Sequence, residues 1–544
     1  MFARVKKSGK YQYLQIVENR KEAGKVKQRV LATIGRMDQL QEKGRVETLI
    51  RSLSRFSEKA LLILSGQSDV AAKARTIGPV MIFERLWKQT GIASAIKKLL
   101  VGRNFAFDVE RSIFLTVLHR LMVSGSDRFC DRWRRDYRID GCGQLSLHHL
   151  YRAMAFLGEE LCEQSGALMA SRRRNKDLIE EQLFYDNRDL FTRLDLVFFD
   201  TTSIYFEGAG GDIGQRGFSK DHRPDLKQMV VGAAIDDNGR PICCEMWPGN
   251  TADVTALVPL AERLQKRFAI SSFCVVGDRG MVSNDTLEKL EQLKLSYILG
   301  ARMRRVKDIK EQVLARGGRF REVCPESSDR KKPAPLKVKE VIHDGKRYIV
   351  CLNPRQARKD AADRRAIIDS LQEQLKKGAK SLVGNKGYRK YLKANKQGFQ
   401  IDTGKIKTEE RFDGKWVLIT NTDLSAEKVA LKYKQLWQVE RVFRDVKSLL
   451  ETRPIYHQNE ANICGHVFCS FLALVLRNEL EQRLAAAGHR LEWAEIKQDL
   501  KALKEVEIDE GAARFAVRTE FKGLCAKIFK AVGVAPPPTI RQLH

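Results

Sequence analysis

Two stretches of the chain rise to the same abrupt ending. Leu196-Val197-Phe198-Phe199 is an unbroken apolar run that stops at Asp200, followed by Thr201-Thr202-Ser203. Phe273-Cys274-Val275-Val276-Gly277 stops at Asp278. Runs this short and this rich in β-branched and aromatic residues read as strands buried on both faces. The Asp at the end of each either caps a turn or is an oxygen ligand held rigidly at the edge of a core. Between the two runs, Gln228–Ile235 and Pro241–Trp247 flank Asp236-Asp237-Asn238-Gly239, a hairpin turn. A helix is expected over Val254–Lys266, another over Ser283–Leu293, and a strand over Ser296–Gly300. The order β-β-β-α-β-α-β demands an α/β fold with a mixed sheet flanked by helices.

A chain of 544 residues exceeds what one core organises, so two to four domains are expected. The net charge of +30 is spread along the whole chain, which favours a polyanionic partner, most simply nucleic acid. The start, Met1-Phe2-Ala3-Arg4-Val5-Lys6-Lys7, lacks the apolar core of a signal peptide, and no apolar run is expected to span a membrane. A cytoplasmic protein with no membrane partner follows. None of the 11 cysteines forms a Cys-x2-Cys pair, so neither a disulfide framework nor a zinc site is expected.

In chain order, residues 1–37 read as a small β unit and 38–190 as a helical region. Its clear helices are Gly78–Thr90, Val109–Val123, Leu147–Leu157 and Glu159–Ser171. Arg128, Arg132, Arg134, Arg135 and Arg172-Arg173-Arg174 make this region a candidate DNA-binding domain, although no helix-turn-helix stands out. The α/β core begins at 191–300 and is interrupted by a β-rich insertion over 301–425. Within the insertion, Asn353-Pro354 opens a long helix as N-cap and first residue, and Asp-Gly hairpins are expected around Asp344-Gly345 and Asp413-Gly414. The core resumes over 426–480, and 481–544 reads as basic helices with a frayed tail.

One helix is expected over Glu427–Leu450. At 100° per residue its side chains sort into three faces. Val439, Val442, Phe443, Val446 and Leu450 make a core face, and Lys434, Gln438, Arg441, Asp445 and Ser448 a solvent face. Tyr433, Leu436, Trp437, Glu440, Arg444 and Lys447 make a third face centred on Glu440, for which a plain amphipathic helix has no use. A Glu440–Arg444 pair would give that face a purely structural role.

Asp200, Asp278 and Glu440 converging at one end of a sheet would repel one another unless divalent cations neutralised them. Hard oxygen ligands in basic surroundings point to Mg²⁺ bridging to phosphates. Two such ions can activate an attacking oxygen and stabilise a leaving one in phosphodiester displacement.

With these residues in view, the chain resembles bacterial insertion-sequence transposases of the DDE class, which have an RNase H-like core. The group it resembles has a β-rich insertion and a Glu helix reading Tyr-x2-Arg-x3-Glu-x6-Lys, here Tyr433-x2-Leu436-x3-Glu440-x6-Lys447. Phe199-Asp200-Thr201-Thr202-Ser203 and Gly277-Asp278-Arg279-Gly280 carry the other two motifs, and the likeness covers about 195–480. The resemblance implies Asp200, Asp278 and Glu440 as catalytic metal ligands for two Mg²⁺ ions, with Mn²⁺ as a substitute. It implies Tyr433, Arg444 and Lys447 as phosphate contacts, with Arg223, Lys227 and Arg279 as weaker candidates. Leu436 departs from the motif's Arg, and position 436 is expected to face the cleft. The implied activity is binding of terminal inverted repeats, cleavage at the element's ends and joining to target DNA, by a homodimer at the bacterial nucleoid. A stand-alone metal-dependent nuclease and an inactive DNA-binding repressor are the alternatives.

Overall fold

A computed structural model of the chain describes residues 2–22, 25–42, 71–161, 172–186, 195–270, 272–323, 336–377, 389–395, 398–449, 452–509 and 514–543. It divides into two compact units. The first comprises Met1–Leu157, Leu449–Glu451 and Gly465–His544, and the second Gly158–Ser448 and Thr452–Cys464.

The first unit opens with an antiparallel meander, β1 (Phe2–Ser8), β2 (Tyr11–Glu22) and β3 (Lys25–Arg36). These three strands occupy the stretch read as a small β unit. β4 (Ala71–Thr76) precedes the helices Gly78–Gln89, Val109–Met122 and Leu147–Gly158, close to their expected spans. The expected helix Glu159–Ser171 falls almost wholly outside the described residues.

The second unit is built on a nine-stranded sheet. β5 (Leu196–Tyr205), β6 (Gln228–Ile235) and β7 (Pro241–Pro248) form an antiparallel meander. β8 (Cys274–Gly277) lies parallel to β5, and β9 (Ser296–Gly300) lies parallel to β8. The spatial order β7-β6-β5-β8-β9 is the RNase H-like core, with β5 and β8 at its centre. Phe198, Phe199, Val275 and Val276 are buried, as their unbroken apolar runs require.

The sheet does not end at β9. β10 (Arg321–Val323), β11 (Leu336–His343) and β12 (Lys346–Leu352) form the far edge. A small hairpin of β13 (Leu392–Asn395) and β14 (Gly398–Ile401) stands apart, and β15 (Lys415–Thr420) then pairs with both β12 and β9. The segment 301–425 therefore extends the core sheet, and Val341, Tyr348, Val350, Val417 and Ile419 join the same apolar cluster as Phe199 and Val275. Its long helix, Pro354–Lys376, begins as expected, with the Asn353 side chain accepting from the amides of Arg355 and Gln356. The turn at Asp344-Gly345 is the expected hairpin, both residues having positive φ. Gly414 does not close a second hairpin. It joins the helix Thr403–Glu410 to β15, because β15 finds its partners far away in sequence.

The two faces of the sheet have different covers. The helices Asp253–Phe268 and Asn284–Gln292 supply Leu257, Leu264 and Leu290 to the cluster holding Val197 and Phe199. Across from them, the helix Ala426–Lys434 packs on β8, β9, β11 and β12, and the helix Trp437–Arg444 packs on β5 and β6.

The C-terminal part departs from the all-helical expectation. β16 (Lys504–Asp509), β17 (Arg514–Arg518) and β18 (Ile540–Leu543) form an antiparallel sheet with β4 in the order β18-β17-β16-β4. The end of the chain is thus an edge strand, where a frayed tail was expected. Among the described residues, one helix, Glu460–Ala486, is long and apolar enough to cross a membrane, against the expectation of no such run. Its most apolar window is 78% buried, which suits a core helix.

Candidate active site

Asp200 and Asp278 are brought together by strand register. On the parallel strands β5 and β8, Phe198 pairs with Val276 and Phe199 with Gly277, so the next residue of the chain after each of this last pair is an Asp, Asp200 within β5 and Asp278 just past the end of β8. Side chains alternate across a strand, and Asp200 shares the face of Phe198. That is the face covered by the helices Ala426–Lys434 and Trp437–Arg444. Tyr433, the penultimate residue of the first helix, donates its hydroxyl to Asp278 Oδ1 at 3.2 Å. Burial and the adjacent Asp278 push the Tyr433 hydroxyl well above its ordinary range, keeping it a proton donor.

The approach is close enough to require glycine. A Cβ on Gly300 would lie 2.6 Å from the Tyr433 hydroxyl and 2.9 Å from the Arg279 amide. Arg302 fixes the turn after Asp278, donating from Nε to the Arg279 carbonyl at 3.0 Å and from Nη2 to the Gly280 carbonyl at 2.8 Å.

Asp200 is part-buried, and its carboxyl is raised to about 6. Burial is the main cause; Asp278 and Asp253 push the same way, while Lys220 and the Thr201 amide oppose them. Asp253 was missed in the sequence because an Asp in the first turn of a helix reads as a cap. Here its two oxygens are both engaged: Oδ1 accepts from Thr201 Oγ1 at 2.5 Å, and Oδ2 faces Lys220 Nζ at 3.0 Å. The same ammonium donates to the Thr201 carbonyl and hydroxyl, each at 2.8 Å.

The third acid stands on a broken helix. The expected single helix over 427–450 is interrupted after Lys434, resumes over Trp437–Arg444 and widens into a π turn over Asp445–Leu449. Leu450 lies outside the described residues, as does the Ser448 side chain. The core face survives the break, with Val439, Phe443 and Val446 buried. The third face does not survive whole. Leu436 sits at the break and is only 6% exposed, so position 436 belongs to the core and not to the cleft. Asp445, expected in solvent, is buried. Glu440 and Arg444 are exposed. The Glu440 side chain makes no hydrogen bond or ion pair among the described residues. Lys447 is turned inward onto Asp221 Oδ1 at 2.7 Å.

A cavity of about 800 Å³ opens beside Asp278, with Arg279, Gly280 and Tyr433 in its wall. Lys220, Arg302, Arg304, Arg305 and Lys415 make it basic, while Phe218 and Trp416 give it aromatic surface. Of the weaker candidates, Arg279 lies at this cavity and Arg223 is paired with Asp225 at 2.9 Å. The arginines 172–174 are engaged by carboxylates: Arg172 by Glu160, Arg173 by Glu181, and Arg174 by both Glu160 and Glu460.

Residues 192–476, more than half of the chain, match the family described as Transposase DDE domain, and residues 3–69 match the IS1634 family transposase N-terminal domain. The chain belongs to the DDE transposases. It is a DNA-cleaving and DNA-transferring enzyme of the insertion-sequence type. No curated protein matches it. Among solved structures, a piggyBac transposase synaptic complex with hairpin DNA is similar at 11% identity and a TM-score of 0.36, covering 78% of this chain and 79% of that one. In this transposase the matched domain runs from just before β5 to within the helix Glu460–Ala486 and so contains both paired Asp residues and Glu440.

Proposed function

We infer that Asp200, Asp278 and Glu440 are the metal-ligating catalytic acids of this transposase. The observation that carries this is the placing of Asp200 and Asp278 side by side by register, on the sheet face that the Glu440 helix covers. The donor set fits a divalent cation. Asp200 is a part-buried carboxyl raised to about 6 by desolvation and two neighbouring acids, an arrangement that a hard cation relieves. Asp200, Asp278 and Glu440 would hold Mg²⁺, two ions in the full assembly, with Mn²⁺ as a substitute. The bound cations would supply Lewis-acid stabilisation and an activated oxygen for phosphodiester transfer.

The protein's own groups have separate tasks. Tyr433 holds Asp278 in orientation through its hydroxyl, and Arg302 fixes the turn that follows. Arg444, exposed one turn beyond Glu440, is the proposed phosphate contact on that helix. Tyr433, whose hydroxyl rests on Asp278, is a second proposed phosphate contact, whereas Lys447 reaches phosphate only by releasing Asp221.

The proposed substrate is the pair of terminal inverted repeats of the element, cut at their ends and joined to target DNA by a homodimer at the nucleoid. The +30 charge supports a DNA-bound state. The test is cleavage of end-bearing DNA by Asp200→Asn, Asp278→Asn and Glu440→Gln. Each should lose cleavage and keep DNA affinity, and an Asp278→Asn protein that cuts normally with Mg²⁺ would falsify the assignment.

A further inference from the structure

Lys220 and Asp221 are adjacent in a loop and reach in different directions. Lys220 is tied to β5: its amide donates to Ser203 Oγ at 2.8 Å, and its ammonium meets the Thr201 carbonyl, the Thr201 hydroxyl and Asp253. Thr201 follows Asp200 directly, so these bonds fix the backbone that carries the first acid. Asp221 is tied to the other end of the site. Its Oδ1 receives both Lys447 and Arg453, and its side chain is 4% exposed. Lys447 lies seven positions after Glu440, in the π turn that continues the same helical run.

The loop is shaped for this. Ser219 Oγ accepts from the amides of Asp221 and Arg223, and His222 is held at φ 57°, a conformation that costs a non-glycine residue on the order of 1 kcal/mol. Asp221 Oδ2 is buried with no hydrogen-bond partner among the described residues. Such a cost persists only where surrounding contacts over-determine the geometry.

Resting on the assignment of the acids given above, we propose that Lys220–Asp221 is a two-sided brace that sets the distance between the strand of Asp200 and the helix of Glu440. While the Lys447–Asp221 pair is closed, Lys220, Asp221 and Lys447 are positioning residues, acting on the metal through the acids. The bland alternative is a carboxylate that occupies Lys447 and Arg453 and keeps them from DNA phosphate.

The experiment uses the full chain and four readouts: Mn²⁺ binding by calorimetry, binding of a fluorescein-labelled duplex in EDTA, plasmid nicking with Mn²⁺, and the thermal midpoint. Asp221→Asn and Lys447→Met should each weaken Mn²⁺ binding about tenfold or more, as loss of an outer partner of a metal ligand does. Nicking should fall by on the order of a hundredfold, as for a small misplacement of catalytic groups. Duplex affinity should stay unchanged, and the double variant should be no worse than Asp221→Asn alone, because the Lys447–Asp221 contact is already lost there. Lys447→Arg preserves the pair and should retain Mn²⁺ affinity, which keeps the test decisive if Asp221→Asn fails to fold. Asp225→Asn, in an exposed pair nearby, is the neutral control. Tighter duplex binding by Asp221→Asn with unaltered Mn²⁺ affinity would overturn the brace in favour of the occluding carboxylate; loss of Mn²⁺ affinity in Lys447→Arg, which keeps the ion pair, would overturn the brace without favouring that alternative. Asp278→Asn separates the two levels: normal Mn²⁺ binding there would sink the acid assignment itself, whatever the brace variants do.

Discussion

Tyr433 donates its phenolic hydrogen to Asp278 across 155 positions of sequence, and Gly300 leaves the space in which the two meet. Gly300→Ala should therefore damage the site without touching any acid. The added methyl would lie 2.6 Å from the hydroxyl and 2.9 Å from a backbone nitrogen, so the phenol must move. Cleavage should drop by about tenfold or more, comparably to Tyr433→Phe, which deletes a hydrogen bond to a charged group worth roughly 1.5–3 kcal/mol before solvent screening. Kinetics of both variants and their double form a cycle; fully additive losses would show that Gly300 and Tyr433 act independently.

Asp200 gives a pH dependence of defined sign. Its folded carboxyl is raised from 3.8 to about 6, so between those values the native state binds more protons than the unfolded chain. Stability of the metal-free protein should fall as pH rises from about 4 to about 6 and remain lowered above that, by on the order of 2–3 kcal/mol for this group alone. Asp200→Asn should remove this penalty and be the more stable protein at pH 7 without metal, with the difference vanishing near pH 4. Urea midpoints across that range read it directly; a wild type that gains stability on going from pH 4 to 6 relative to Asp200→Asn would contradict it.

Leu436→Arg restores the residue that similar transposases carry there, yet it should be poorly tolerated. Leu436 is buried at the break between two helices, and an arginine would carry an unpaired charge into the core. A loss of about 3–5 kcal/mol is expected, visible as a large drop in thermal midpoint. A variant that melts like the wild type would mean the side chain escapes to solvent.

Removing residues 301–425 should not leave a folded remainder. The deletion takes away β10, β11, β12 and β15, four of the nine strands, and with them Val341, Tyr348, Val350, Val417 and Ile419 from the shared cluster. Circular dichroism and size exclusion should show an aggregated or unfolded protein, where a well-dispersed two-state domain would prove the segment separable after all.

Much of the site was legible because its determinants are local. The apolar runs before Asp200 and Asp278 are buried strands, and Asn353-Pro354 starts a helix as its chemistry dictates. What escaped depends on distant partners. The break at Leu436 is invisible to a 100° wheel, because packing on the sheet, and not periodicity, turns that side chain inward. Lys447 reads as a free cation until Asp221 arrives from 226 positions away. Asp253 reads as a cap until Thr201 and Lys220 close on it. The insertion reads as separate because β15 pairs with β9 over more than a hundred intervening residues.

That last pairing has a bearing on how the enzyme is made. The parallel pair carrying Asp200 and Asp278 is complete by residue 278, and β9 by residue 300, but the outer edge of β9 waits for Leu418–Thr420 to leave the ribosome. At roughly 5–20 residues per second, well over a hundred further residues take on the order of ten seconds. Throughout that interval a strand that ends up entirely inside the sheet offers open hydrogen-bonding groups to any neighbouring chain. Polysomes translating this message densely would bring many such edges close together, so yield of the active enzyme should depend on translation rate more steeply than its final stability suggests.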